Sequence, residues 1–147
     1  MRYLIMVKST PAFEAEGATP GDFQPDPTVF AEIAAFHEEL ARAGVLLDGN
    51  GLKPSRQGWR VRYDGERRTV IDGPFTEAKE LIAGYTLIQV ASRAEAMEWA
   101  RRFPNPVGRG QPAEIEVRPL FELDDFVPSA EVERFRELAA SQSIGSK

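Results

Sequence analysis

Cysteine is absent from the 147 residues and histidine occurs once. The first absence excludes disulfides, zinc–thiolate centres and thiol nucleophiles, and it leaves the redox compartment unmarked. The second leaves His37 as the single side chain whose ordinary pKa lies near neutrality. Positive charge is also short: 18 Lys and Arg face 23 Asp and Glu, giving a formal charge of -5 and a pI near 5.0. Phosphate binding needs a concentrated basic face to displace counterions, so a nucleic-acid partner is not expected. The local basic excess is Arg60, Arg62, Arg67 and Arg68, and strand alternation points Arg60 and Arg62 the same way, into solvent. Long apolar runs are missing as well. The opening "MRYLIMVKST" is too short for a secretory core or a membrane span, so the expected location is the cytoplasm, without membrane association.

Further absences narrow the chemistry. No GxSxG elbow or calcium loop occurs, and the GxG at Gly49 to Gly51 does not open a helix, so it is no dinucleotide fingerprint. With one His and no Cys, a metal site would have to be rich in carboxylates at converging positions, and no such spacing appears. Neither a metal nor a cofactor is expected. Internal repeats and low-complexity segments are also lacking.

What is there reads as one domain, since 42% hydrophobic residues in a chain of 147 suffice for a single core. Residues 2–8 form an opening strand. Residues 9–26, with Pro, Gly and acid but no period, form a long loop that Phe13 and Phe23 could pack down. Asp26-Pro27 starts a helix to about Ala43, ended by Gly44, with Phe30, Ile33, His37 and Leu40 on its apolar stripe. A short strand in "VLLDGNGLKPS", broken by Gly49, Asn50 and Gly51, follows, then a hairpin pairing 58–63 with 67–71 across "DGE". Residues 76–81 make a helical turn with Thr76 as cap, 83–90 a strand, and Ser92 caps a helix to about Arg102. A last strand covers 113–120, and Val132, Phe135 and Leu138 mark a C-terminal helix.

This order is a βαββαβ plan with an inserted β-hairpin. It is the ferredoxin-like α+β class, with both helices on one face of an antiparallel sheet. The other sheet face is left uncovered, and a second copy is its expected cover, giving a homodimer through the open sheet face. The C-terminal helix is expected to clasp that partner.

The blocks "DGPFTEAKELIAGY", "EAMEWARRFP" and "IEVRPL", with "MRYLIMVK" and "GLKPS" before them, resemble the DGPF subgroup of the YCII-related family over roughly residues 1–125. The remaining residues, 126–147, are expected to be a helical extension of the same domain. The resemblance implies a fold of dimeric α+β barrel type, a pocket between helix and sheet, and a His–Asp pair as a candidate active site, here His37 and Asp72. It also implies likeness to lyases that eliminate halide or water from ring compounds, and a link to extracytoplasmic-function sigma factors.

The residues themselves support a modest chemistry. Asp72 could orient His37 by accepting from one ring nitrogen, leaving the other as base for cofactor-free proton transfer or elimination. Against that, His37 reads equally as a satisfied core histidine, and Asp72 as the acceptor that holds the Gly73 to Phe75 turn. Phe75, Tyr85 and Arg118 are the expected ligand-binding residues. Arg118 could take a carboxylate bidentately or sit in a salt bridge, and Tyr85 could be a core aromatic. A small organic molecule is the expected ligand; a non-catalytic binding or regulatory module is the alternative.

Overall fold

The computed structural model describes residues 1–15 and 26–145. Strand β1 (Arg2–Lys8) and the short helix α1 (Pro11–Ala15) lead into helix α2 (Pro27–Arg42) and strand β2 (Leu46–Gly51). Strands β3 (Trp59–Asp64) and β4 (Arg67–Asp72) form the hairpin, followed by β5 (Ile82–Gln89), α3 (Arg93–Arg102), β6 (Ile115–Pro119) and α4 (Ala130–Gly145). The main sheet has the antiparallel order β2-β5-β1-β6, which is the ferredoxin-like arrangement expected from the element order.

Local chemistry accounts for the helix starts. The Asp26 carboxylate accepts from the Thr28 and Val29 N–H groups, at 2.9 and 3.3 Å, and Pro27 lies where no N–H is needed. Ser92 caps α3 by accepting from the Glu95 N–H at 3.1 Å. Gly44, at φ 75°, ends α2 in the left-handed conformation that costs glycine least. Both helices then pack on the same sheet face. Tyr3, Ile5, Phe36, Leu40, Val45, Ile88, Val90 and Ala96 are buried between them, with Trp99, Phe103, Ile115 and Val117 at the margin. The Phe36 ring meets Trp99 and Phe103 edge-on, at centroid distances of 6.1 and 5.2 Å. Ile5, Leu40 and Ile88 are fully enclosed, each worth about 1.5–3 kcal/mol of burial.

Among the described residues the hairpin pairs only with itself. Asp64 stands opposite Arg67, and Gly65 takes φ 60° at the first turn position, as a two-residue turn of this hand requires. Its root is tied down by one carboxylate. Glu14 of α1 accepts from the Ser9 hydroxyl at 3.1 Å, the Ser55 N–H at 2.9 Å and the Ser55 hydroxyl at 2.6 Å. The Ser55 oxygen in turn accepts from the Phe75 N–H at 3.0 Å, and Gly73 N–H donates to the Gly58 carbonyl at 3.0 Å. The peptide between Gly73 and Pro74 is cis.

Several expectations need correction. Residues 9–26 are not all loop: Thr10 accepts from the Phe13 N–H at 3.1 Å and opens α1, while 16–25, with Phe23, lie outside the described residues. Thr76 is not the cap of the next turn, which is a short 3₁₀ segment over Ala78–Glu80 starting after Glu77. The last strand, Ile115–Pro119, is shorter than 113–120, its link to β1 beginning at the Glu114 carbonyl, which accepts from the Lys8 N–H at 3.1 Å. Arg60 and Arg62 are exposed, as strand alternation predicts, and the Arg60 guanidinium also lies 3.8 Å from the Phe75 ring centroid.

Beyond β6 the chain is pinned back to the start of β1. Arg2 donates twice to the Glu122 carboxylate, both at 3.0 Å, and that hydrogen-bonded pair holds Glu122 below its ordinary pKa. Ser129 then starts α4 by accepting from the Val132 N–H at 3.1 Å. A group whose pKa is lowered on folding contributes stability above its unfolded pKa and loses it as pH falls through the folded value. Acidification from neutrality through the carboxylate range is therefore expected to lower the amide protection factors of residues 121–126, taken relative to the intrinsic exchange rate at each pH. Glu122→Gln should show low protection at neutral pH and lose that pH dependence.

Glycine positions supply a second test. A Cβ on Gly73 would lie 1.9 Å from the Ser55 carbonyl oxygen, whereas one on Gly51 would meet nothing within 4 Å. Gly73→Ala should cost about 2–3 kcal/mol in thermal or denaturant unfolding, the range of an overpacked site. Gly51→Ala should leave stability within about 0.5 kcal/mol, as for an open position.

Candidate functional site

His37 is placed by α2 with its ring directed at the sheet. Its Nδ1 lies 2.8 Å from the Ile33 carbonyl oxygen, one turn back. A carbonyl only accepts, so Nδ1 carries the proton and donates. The other nitrogen, Nε2, lies 2.8 Å from the Thr86 hydroxyl, and in the neutral ring it accepts that hydroxyl proton. Thr86 is buried on β5, opposite Ile5 of β1. Gly49 on β2 faces the same ring. A Cβ there would come within 3.2 Å of Nε2 and 3.3 Å of Cδ2, so glycine gives the imidazole its room. Phe36 and Phe103 close the remaining sides edge-on, at 6.1 and 6.4 Å.

Strand alternation sends the next residue to the opposite face. The Tyr85 hydroxyl donates to Asp48 at 2.9 Å and accepts from the Asn50 amide at 3.0 Å. Asn50 also donates to Asp48 at 3.1 Å, so the phenol is held by a closed polar trio. Register puts Arg118 on this face too: Arg118 pairs with Leu4, and Leu4 with Leu87, two positions from Tyr85. Arg118 is exposed and forms no hydrogen bond or ion pair among the described residues. Tyr85 is only half-buried and stands outside the core, on a face where Leu4, Met6 and Leu87 supply apolar surface.

Asp72 ends β4, opposite Trp59, and is exposed. Among the described residues its carboxylate makes no hydrogen bond, to His37 or to the turn that follows it. That turn is held from outside, by Ser55 and Gly58. Phe75 is half-buried beneath the Arg60 guanidinium. Of the five residues singled out from sequence, the fold thus gathers Tyr85 and Arg118 on one sheet face, His37 on the other, and Asp72 and Phe75 at the hairpin root.

Thr86, Gly49, Asp48, Asn50, Ser55 and Glu14 were not expected to have these roles. Alternation along "AGYTLIQV" could have set Thr86 against Tyr85, but a strand pattern alone does not say which helix residue meets it. Among the described residues no group of three or more His, Asp or Glu converges as a metal site, and no helix is long and apolar enough to cross a membrane.

Removing the hydroxyl opposite His37 tests this geometry. Thr86→Val should lower stability by about 1–2 kcal/mol, because a ring nitrogen is left unpaired near the core. Thr86→Ser should recover most of the loss, and the denaturant midpoint reads both.

Comparison with known proteins places the chain. An uncharacterised protein of Rhizobium meliloti (strain 1021) is 34% identical over 95 residues, which covers 65% of this chain and 75% of that protein. The YCII-related domain matches residues 1–123, from the first strand through the Arg2–Glu122 pair, so the chain belongs to the YCII-related family.

Proposed function

We propose that this chain is a homodimeric protein that binds a small organic acid on the open sheet face, with a second copy as cover. The observation that supports this is the Tyr85 hydroxyl, oriented by Asp48 and Asn50, on the same face as the unpaired Arg118 guanidinium. A planar guanidinium matches a carboxylate bidentately, a phenol held by its neighbours meets a ligand with little ordering cost, and Leu4, Met6 and Leu87 provide apolar contact. Phe75 joins the reading as an aromatic surface that already attracts one cation, Arg60. The expected setting is the cytoplasm, without nucleic acid or a cofactor.

Cofactor-free acid–base chemistry by His37 and Asp72, as proton transfer or elimination, is the second reading. It draws support from the half-buried imidazole with a hydroxyl at 2.8 Å from Nε2, a geometry in which the ring can take or return a proton. It requires Asp72 to approach a ring now bonded to Ile33 and Thr86. A non-catalytic regulatory module, linked to extracytoplasmic-function sigma factors, is the remaining alternative.

A thermal-shift screen against small aromatic and aliphatic carboxylic acids separates these. Acids that raise Tm in the wild type should lose most of the shift in Arg118→Ala and part of it in Tyr85→Phe. Shifts that survive both substitutions contradict the binding face. Turnover that falls at least a hundredfold in His37→Asn and Asp72→Asn alike would establish the catalytic reading, as loss of a general base does.

A further inference from the structure

The sheet face away from the helices carries two unmatched charges, at opposite edges and in one row. Pairing register sets Asp48 of β2, Leu87 of β5, Leu4 of β1 and Arg118 of β6 side by side across the four strands. Asp48 accepts only from neutral donors, the Tyr85 hydroxyl, the Asn50 amide and the Gly49 N–H. Neither Asp48 nor Arg118 meets an opposite charge among the described residues. The next row holds Asn50, Tyr85, Met6 and Glu116 in the same strand order, and its acid is already paired, with Lys8 at 3.6 Å.

Within one chain the guanidinium and the phenol are held apart. Arg118 and Tyr85 stand two strands and two residues from each other, about 10 Å by about 7 Å at ~4.8 Å per strand and ~3.3 Å per residue, and side chains on one face run side by side. Two copies meeting face to face are related by a two-fold axis between their sheets, and the charges select its direction. An axis across the strands sets β2 against β2. That strand holds no basic residue, so Asp48 is left without a cation at any register. An axis along the strands, between β5 and β1, sets β2 against β6 and β5 against β1, and keeps each row at its own height. Asp48 then faces Arg118 at both edges, Leu87 faces Leu4, and Tyr85 faces Met6.

We propose that Arg118 of each copy crosses to the Asp48–Tyr85–Asn50 trio of the other, so that the ligand site is built from both chains. Packed sheets lie about 10 Å apart, a span that an arginine and an aspartate side chain fill together. Asp48 takes one edge of the guanidinium fork, and the other edge is left for a ligand carboxylate beside the Tyr85 ring. The arrangement rests on the dimeric binding face proposed above and deepens it, by making the pocket incomplete in a single copy.

Reversed charges test the pairing. Asp48→Arg and Arg118→Asp should each weaken the dimer roughly tenfold or more, because both edges then meet like charge. An equimolar mixture of the two variants should recover it, since every facing pair in the mixed dimer is again opposite in sign; light scattering against concentration reads all three. The axis is tested separately, and independently of whether the reversed charges fold. Because the chain has no native cysteine, Asn50→Cys and Glu116→Cys chains, one carrying a mass tag, are mixed and oxidised. The expected product on a non-reducing gel is a covalent dimer of mixed mass. Dominant 50–50 or 116–116 links, or a mixture of charge variants no tighter than either alone, overturn the composite site while the dimer stands. A wild-type monomer at micromolar concentration overturns the dimer as well. Acid-induced Tm shifts that survive Arg118→Ala overturn the ligand reading and leave the Arg118–Asp48 pairing standing.

Discussion

Strand β5 lies between β2 and β1, and because its side chains alternate, Thr86 and Tyr85 cannot serve the same site. Thr86 faces the helices and takes the His37 ring, whose other nitrogen is held by its own helix. Tyr85 faces away and takes Asp48 and Asn50. Two polar groups that lie side by side in sequence are thereby separated by the thickness of a sheet. One sits at a helix–sheet packing surface; the other lies on the sheet face away from the two helices.

The DGPF motif gains its physical meaning from a second constraint, the Glu14 carboxylate. That one side chain joins the end of β1, the turn at Ser55 and, through the Ser55 hydroxyl, the backbone of Phe75. Gly73 is needed because Ser55 backbone passes where a Cβ would stand. The motif is in this respect a docking device for the hairpin, and Asp72, its carboxylate, is free of that duty. The same hairpin carries its aromatic face outward from a firmly tied root.

The fold was largely legible from sequence. Asp26-Pro27, Ser92 and the Asp64-Gly65 turn act locally, through caps and turn geometry, and local signals survive into the structure. The boundary of β6 was less so, because pairing with β1, and not composition, decides where that strand starts. The site was legible only in part. Tyr85 and Arg118 share a face through register across three strands, and His37 meets Thr86 across 49 positions of sequence, a contact that no spacing rule announces. Glu14 lay hidden in what read as an unpatterned loop. Its role depends on Ser9 and Ser55 arriving from two different directions.

The central claim is that His37 answers to Ile33 and Thr86 on the helix side of the sheet. Nitrogen-15 NMR of the His37 ring tests it most directly. The account predicts a proton fixed on Nδ1, with ring signals unchanged in Asp72→Asn. A mixture of tautomers, or an Nδ1 signal that moves when Asp72 loses its charge, would contradict it.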